Sequence, residues 1–433
     1  MVRTWVTGGR ALLERTSLAF LLATVLAMAV AVPAAAGHNR RSSAQAVWTS
    51  VPVQAPPAPF RPSSALQMGN MTCLSARFCV VAGYTEVLTG PGATVGRGAA
   101  APAERYVPLL WQWNGRNWSF VRIAVGKSVG LLGSACPSRG DCFAVGTSVS
   151  GSRSSGLILH SDGGAWTAMT PAPANDGVAL NGVACPAANE CFAVGNRQIS
   201  ASAADLRIEK WNGATWSDVP AAAPKGALWS LFNSISCLSA TDCWAMGDGY
   251  DSPTSSGYFF ADQYDGKGWR LVSMANPSKF DLGSETGMVE TACTTASRCL
   301  TVGMALGYIP PGQRGADFPT GVAEAWDGTR WSALAVPKGA SGQGYGPTGA
   351  ACVSASDCWV SAVPTGPLPA WYAPMTFLHW TGAGLTAQTL PVHAGGEAIG
   401  CLSTGFCLAF GQAATSSPSA GARMASWRLS PGA

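Results

Sequence analysis

The chain has 433 residues and a formal net charge of +4 at pH 7, and only 12% of its residues are charged, against roughly 25% in an ordinary soluble protein. No basic run stands out, which argues against nucleic acid as a partner. A hydrophobic content of 47% with 17 Trp speaks against disorder, while 52 Gly and 29 Pro suit short strands and many turns.

In chain order, Arg3, Arg10 and Arg15 precede an apolar run from Leu18 to Val32, which ends in Pro33-Ala34-Ala35-Ala36-Gly37. A basic start, a short hydrophobic core and a small-residue exit predict a secretory signal peptide over residues 1–36, cleaved near Ala36. A retained anchor is the competing reading, but the run is short for a bilayer span, and no later stretch is long enough to cross one. Cleavage removes three arginines and Glu14, so the net charge falls from +4 to +2. Residues 37–433 read as a single extracellular domain, a monomer with no membrane span.

Past the leader, Ala46-Val47-Trp48-Thr49-Ser50-Val51-Pro52 reads as a strand, and the Pro-rich stretch 52–62 as a connector, because Pro cannot donate to a strand ladder. Then a C-x5-C unit recurs over residues 63–430: Cys73/Cys79, Cys136/Cys142, Cys185/Cys191, Cys237/Cys243, Cys293/Cys299, Cys352/Cys358 and Cys401/Cys407. These are all 14 cysteines, and successive units start 63, 49, 52, 56, 59 and 49 residues apart. Periods of that size signal repeats. Between units lies a second signature, aromatic–Asn/Asp–Gly–x–x–Trp: Trp113-Asn114-Gly115…Trp118, Trp211-Asn212-Gly213…Trp216, Tyr264-Asp265-Gly266…Trp269 and Trp326-Asp327-Gly328…Trp331. Ser161-Asp162-Gly163…Trp166 and Trp380-Thr381-Gly382…Leu385 are degraded copies. Asn-Gly and Asp-Gly between apolar runs are hairpin signals.

Each repeat resolves into four strands. Strand A ends at the first cysteine and strand B starts at the second. Strand C ends at the aromatic before the turn, and strand D follows it. Four antiparallel strands per repeat of about 50 residues describe a propeller blade. The chain ends on a C-type strand, Met424 to Leu429, with no D strand after it. Residues 46–52 match the D-strand wording of Trp216-Ser217-Asp218-Val219-Pro220, so the amino-terminal strand completes the last blade and closes the ring. The expectation is an all-β fold, a seven-bladed β-propeller with one disulfide per blade.

Export and even pairing make the cysteines disulfides flanking the A–B turns, each contributing roughly 2 kcal/mol. Zinc needs clustered ligands, and the histidines are only His38, His160, His379 and His393. The acids before the second cysteine, Asp141, Glu190, Asp242 and Asp357, read as turn caps. Glu209, Asp262 and Glu324 also recur at one repeat position, two residues before the strand-C aromatic, and read as structural.

Repetition places the A–B and C–D turns on one face and the variable B–C and D–A loops on the other, where binding is expected. The long B–C loops are Tyr84 to Arg105 and Met304 to Gly321. Site candidates are residues that break the repeat. Asp248 and Asp251 flank Gly249-Tyr250 in a polar loop, with calcium or a sugar as possible ligand and a plain turn as the simpler account. Trp229, Tyr250, Tyr308, Tyr345, Trp371 and Tyr372 are aromatics for stacking on sugars or for inter-blade packing. Glu285, Glu290 and Glu397 precede A-strand cysteines and are expected near the channel. Gly126-Lys127-Ser128-Val129-Gly130 fits G-x-S-x-G but lies between strands, and Arg139-Gly140-Asp141 has its Asp at a recurrent turn position, so neither carries a function.

The Asp/Asn-Gly-Trp turn, best seen in Ser161-Asp162-Gly163-Gly164-Ala165-Trp166, resembles the Asp-box (BNR) repeat of sialidase-like propellers. The combined C-x5-C and W-N-G-x-x-W repeat looks like that of secreted actinobacterial propeller proteins. The resemblance implies the architecture over nearly the whole mature chain. Asp-boxes are structural turns in that family, and the arginine triad, tyrosine–glutamate pair and aspartate of sialidases have no counterpart set here, so no residue is carried over as catalytic. The function expected is non-catalytic binding of a cell-surface or extracellular glycan or protein on the B–C/D–A face, with no cofactor. The rival readings are a glycosidase or polysaccharide lyase using channel-mouth carboxylates, and a structural envelope protein.

Overall fold

The structure, a computed structural model, describes residues 47–430 except 58–65, 90–102, 127, 152, 252–256, 276–279, 282–286, 308–318, 340–341, 343, 366–373 and 414–422. Among the described residues every regular element is a β-strand, and no helix is long and apolar enough to cross a membrane. The strands form a seven-bladed β-propeller. Blade three shows the unit: Val178–Ala187, Glu190–Ser200, Ala203–Trp211 and Trp216–Asp218 pair antiparallel in that order as strands A to D. The other A strands are Leu66–Ser75, Val129–Ser138, Trp229–Ser239, Gly287–Thr295, Gly344–Ser354 and the second half of Leu385–Ser403. Each packs on the next around the centre, and the last packs on the first, so the ring is closed.

Two junctions depart from the unit. Leu385–Ser403 is one strand serving two blades: its first half pairs with Pro374–Trp380 of blade six, and its second with Phe406–Ala413 of blade seven. The fourth strand of blade seven is Val47–Val51, which pairs antiparallel with Arg423–Ser430, Trp48 opposite Leu429. Trp48 stacks on Phe377 of blade six at 3.8 Å between ring centres and meets Trp359 edge-on at 5.5 Å. Trp216 meets Phe143 of blade two in the same edge-on way at 5.8 Å. The borrowed strand therefore makes the contact that the repeat makes elsewhere. The chain then runs along blade one: Gln54 N donates to Trp118 O at 2.9 Å, and Trp111 Nε1 donates to Gln54 O at 2.9 Å.

The core is a set of aromatic wedges between blades. The residue after the second cysteine, as in Phe143, Phe192 and Trp244, inserts against the turn-flanking aromatic pair of the next blade, 4.7–5.9 Å from each ring. Fully burying one such side chain stabilises by about 1.5–3 kcal/mol. The C–D turns are built as expected. Gly115, Gly163, Gly213, Gly266, Gly328 and Gly382 have φ between 83° and 100°. Asn114, Asn212, Asp265 and Asp327 accept backbone N–H bonds from the two residues after each Gly, at 2.8–3.1 Å. Those bonds favour the charged form, holding Asp265 below the usual carboxylate range and Asp327, which also accepts from the Thr329 hydroxyl, at about 2.

All seven C-x5-C pairs are disulfides with Cα atoms 3.9–4.0 Å apart, the close approach of directly opposed strand residues. The bridges form as expected, but their two ends have different surroundings, which sequence reasoning did not separate. The second cysteines, Cys79, Cys142, Cys191, Cys243, Cys299, Cys358 and Cys407, are 0–5% exposed and belong to the apolar clusters between blades. They flank the A–B turns as expected, and they are at the same time core positions. The cause is that strand B has neighbouring blades on both of its faces. Successive residues at its start, such as Cys79-Val80, Cys142-Phe143, Cys243-Trp244 and Cys407-Leu408, are therefore all buried, as a continuous apolar run implies.

The acids before the second cysteine are not turn caps, which corrects the expectation. They reach across to strand C: Asp141 meets His160 Nε2 at 2.8 Å, Asp357 meets His379 Nε2 at 2.8 Å, and Glu190 meets Lys210 Nζ at 2.7 Å. The A–B turn is capped instead by strand-C indoles. Trp113, Trp211, Trp326 and Trp380 donate Nε1–H to the carbonyls of Ala76, Ala188, Ala296 and Ala355 at 3.0–3.3 Å. At Glu190 and Asp357 the indole of Trp211 or Trp380 takes the turn, leaving the carboxylate to pair along the strands. Glu209, Asp262 and Glu324 are fully buried and bind the preceding blade, accepting from the backbone N–H of Ala172, Ala222 and Ala275 at 2.8–2.9 Å.

Candidate ligand site in the channel mouth

The site begins with a glycine. In C-F-A-V-G the Gly is the strand-B residue paired to strand A immediately beside that strand's bulge. A Cβ on Gly195 would lie 1.9 Å from Ala179 O, and one on Gly146 would lie 1.9 Å from Gly130 O. The A-strand carbonyl is folded onto that position because strand A is bulged just beyond it. The bulge recurs in every blade, at Leu132, Asn181, Asn233, Val289, Thr348 and Glu397, and over Gly69-Asn70 in blade one. Each lies about four residues before the first cysteine. A bulge leaves its extra residue out of the ladder and re-aims its side chain. Six of the seven bulges line a cavity of about 440 Å³ at the channel end where the A strands begin.

Several bulge side chains fasten one blade to the next. Asn70 Nδ2 donates to Ser134 O at 3.1 Å while its Oδ1 accepts from Ser134 N at 2.8 Å. Asn181 Nδ2 donates to Phe232 O at 2.7 Å, and Thr348 Oγ1 donates to Gly396 O at 2.6 Å. Glu397 accepts from Met68 N, joining the last blade to the first. Asn233 turns back into its own blade, Nδ2 donating to Asp248 Oδ1 at 2.5 Å. At the opposite end, a second space of about 290 Å³ is ringed by the seven first cysteines. Their buried partners, Cys79, Cys142, Cys243 and Cys407 among them, line neither space, so the second half of each bridge is structural and takes no part in the candidate site.

The acids here are displaced from their ordinary range by burial. Asp248 is 5% exposed. Desolvation pushes it up to about 7, opposed only by the Asn233 bond. Glu290 is pushed up to about 8 against one bond from Thr291 N, and Glu397 to about 7 against the Met68 bond. Tyr84, on the cavity wall, is raised to about 12 by burial and then by the charges of Glu86, Tyr106 and Glu397.

The sequence-derived candidates separate. Asp248, Gly249 and Tyr250 belong to strand Asp242–Tyr250 rather than to a loop, which corrects the expectation. Asp248 is buried with the rest of its strand, and Asp251 is exposed past the strand end, so the two carboxylates are not a pair. Among the described residues no three His, Cys, Asp or Glu converge on a metal position. Trp229 and Tyr250 are directly opposed and stack on each other at 6.2 Å. Tyr345 is 7% exposed in the core between blades five and six. Glu397 and Glu290 lie on the inner strands. Glu285, Tyr308, Trp371 and Tyr372 fall outside the described residues. The long B–C loops are shorter than expected, because pairing extends strands to Phe78–Thr89 with Ala103–Trp113 and Arg298–Gly307 with Pro319–Trp326. Sequence reasoning missed Asn181 and Asn233. Their signal was an Asn inside a predicted strand at fixed distance from a cysteine, where strand propensity disfavours it.

No protein-family model and no curated protein matches the chain. Among solved structures it is similar to YCF48 bound to a D1 peptide, at 11% identity and TM-score 0.46 over 88% of this chain and 97% of that one. It is also similar to the GH93 α-L-arabinofuranosidase of Fusarium graminearum with arabinobiose, at 11% identity and TM-score 0.44 over 69% of this chain and 93% of that one. A third is the Aleuria aurantia lectin with a fucosylated disaccharide, at 10% identity and TM-score 0.38 over 68% of this chain and 94% of that one.

Proposed function

We propose that the protein is exported by the leader in residues 1–36 and acts as an extracellular binding propeller. Its ligand, a glycan or a protein, enters the channel mouth and is bound without chemistry. The observation that carries this reading is the ring of bulges. It turns amides and ladder-free backbone toward one cavity, on a frame held by inter-blade hydrogen bonds. Hydrogen-bonding groups held in place by other contacts need little reordering on binding, which favours recognition. The seven disulfides accord with an oxidising compartment.

One observation favours the enzyme reading. Asp248 and Glu290 are raised into the range that a general acid at neutral pH requires. Glycan-array binding and polysaccharide degradation, measured on the exported protein, separate the two. Binding without product supports the binding propeller. Product release that vanishes in Glu290→Gln supports the enzyme. Silence in both assays overturns the glycan-binding and enzyme readings and favours a structural role in the envelope, with a protein ligand then tested by capture on the exported protein.

A further inference from the structure

The channel-mouth cavity has a chemical bias that follows from which of its polar atoms are already used. Asn181 and Asn233 both spend an amide N–H on protein, on Phe232 O and on Asp248. Among the described residues neither amide oxygen has a donor. Glu290 accepts one backbone N–H on Oε1, and its other oxygen accepts none from the described residues. Asp248 is 5% exposed, and only one of its oxygens is bonded among the described residues. The wall in front of Asp248 is the bare backbone of Gly287: an added Cβ would lie 3.1 Å from Asp248 Oδ1 and 3.0 Å from Asn233 Nδ2. The unused groups thus include the two amide oxygens and one oxygen of Glu290, the one carboxylate among the described lining residues, while Gln67, Tyr84 and the second N–H of each Asn remain as neutral donors. No Lys, Arg or His is among the described lining residues, and the titratable groups around the space, Tyr84, Asp248, Glu290 and Glu397, are all acids. Met68, Met288 and Met304 supply an apolar wall.

A space of about 440 Å³ is far larger than a hydrated ion needs and suits a small organic group. We infer that this mouth binds an organic ammonium group, that of an amino sugar or of a lysine-type side chain, held by the oxygens of Asn181, Asn233 and Glu290 against the methionine wall, with Asp248 behind Gly287 fixing the Asn233 amide. The inference rests on the binding reading above and narrows its ligand. An anionic sugar is disfavoured by the same surface, which offers it no cation and sets buried carboxyls beside it.

The test is calorimetric titration of the mature protein at pH 7 with four probes: glucosamine dimer, N-acetylglucosamine dimer, Nα-acetyl-lysine amide and calcium chloride. A charge-assisted hydrogen bond is worth enough that the free-amine dimer should bind at least about tenfold tighter than the acetylated one. Binding should release protons, seen as a heat that depends on the buffer, because the raised carboxyls ionise against the ammonium. Glu290→Gln, which keeps the shape, should lose about tenfold, and Gly287→Ala, whose added Cβ would crowd the Asn233 amide at 3.0 Å, should also lose affinity, with melting temperatures checked for both. Binding by the glucosamine dimer and not the lysine amide identifies the sugar source, and the reverse identifies the side chain. Equal affinity for amine and acetamide, or calcium alone displacing the amine, overturns the inference. If no amine binds while another glycan does, the ammonium assignment fails and the binding function survives. If no glycan or protein binds at all, both fail.

Discussion

Gly195 shows how one missing side chain shapes the whole site. The A-strand carbonyl that lies over it is part of the bulge that aims Asn181 into the channel. Gly195→Ala should cost about 1–3 kcal/mol through overpacking, while Gly384→Ala, with nothing within 4 Å, should stay within about 0.5 kcal/mol. Urea midpoints compare the two, and equal midpoints would sink this account of the repeat's glycine. Asp262 makes a second case. It is fully buried, one oxygen accepts from Ala222 N at 2.8 Å, and the other has no partner. Burial raises it to about 7 from an ordinary 3.8. Between those values the native chain holds a proton that the unfolded chain has lost. Its stabilisation is therefore complete below about pH 4 and disappears as pH rises through about 7. Asp262→Asn keeps an acceptor for Ala222 and cannot ionise, so the difference in urea midpoint between pH 5 and pH 8 should shrink. An unchanged difference would refute the assignment.

At the scale of elements, closure rests on five residues. Val47–Val51 supplies the outer edge of blade seven, and Trp48, 6% exposed, is its anchor against Phe377 and Trp359 of blade six. Trp48→Ala should cost about 3–5 kcal/mol and should expose the edge of Arg423–Ser430. Hydrogen exchange reads this directly: protection should fall first in Arg423–Ser430 and the adjoining blade six. Loss spread evenly over all seven blades would mean that the seam is no weaker than any other interface. The local hairpins are sturdier, because each A–B turn is held by a disulfide, in several blades by an indole cap, and the neighbouring C–D turn on the same face by an Asn or Asp.

The whole molecule adds up its buried acids. Asp248, Asp262, Glu290 and Glu397 are all raised, to about 7 or 8. All four shifts have the same sign, so stability falls as pH climbs from about 4 to 8. The melting temperature should be several degrees higher at pH 5 than at pH 8. A flat or opposite profile by calorimetry would contradict these burials. Three of the four line or adjoin the channel, so this pH dependence is concentrated around its mouth.

What the sequence determined by itself was everything carried by local, repeated chemistry. Cys185 and Cys191 can only staple their own hairpin, Asn212-Gly213 can only make a tight turn, and Trp48 carries the wording of a D strand without a blade. Such features depend on neighbours a few residues away, or on a pattern copied seven times. The tertiary structure decided what depends on curvature and on contacts between blades. Cys79, Cys142, Cys243 and Cys407 flank turns as their spacing implies, but their burial follows only from neighbouring blades that cover both faces of strand B. Asp248 reads as a loop residue until strand pairing buries it, and Asp357 reads as a turn cap until the Trp380 indole takes the turn. Asn181 and Asn233 become channel groups only because seven inner strands converge too tightly to remain unbulged. No residue pattern states how closely those strands approach; that distance is set by closing the ring.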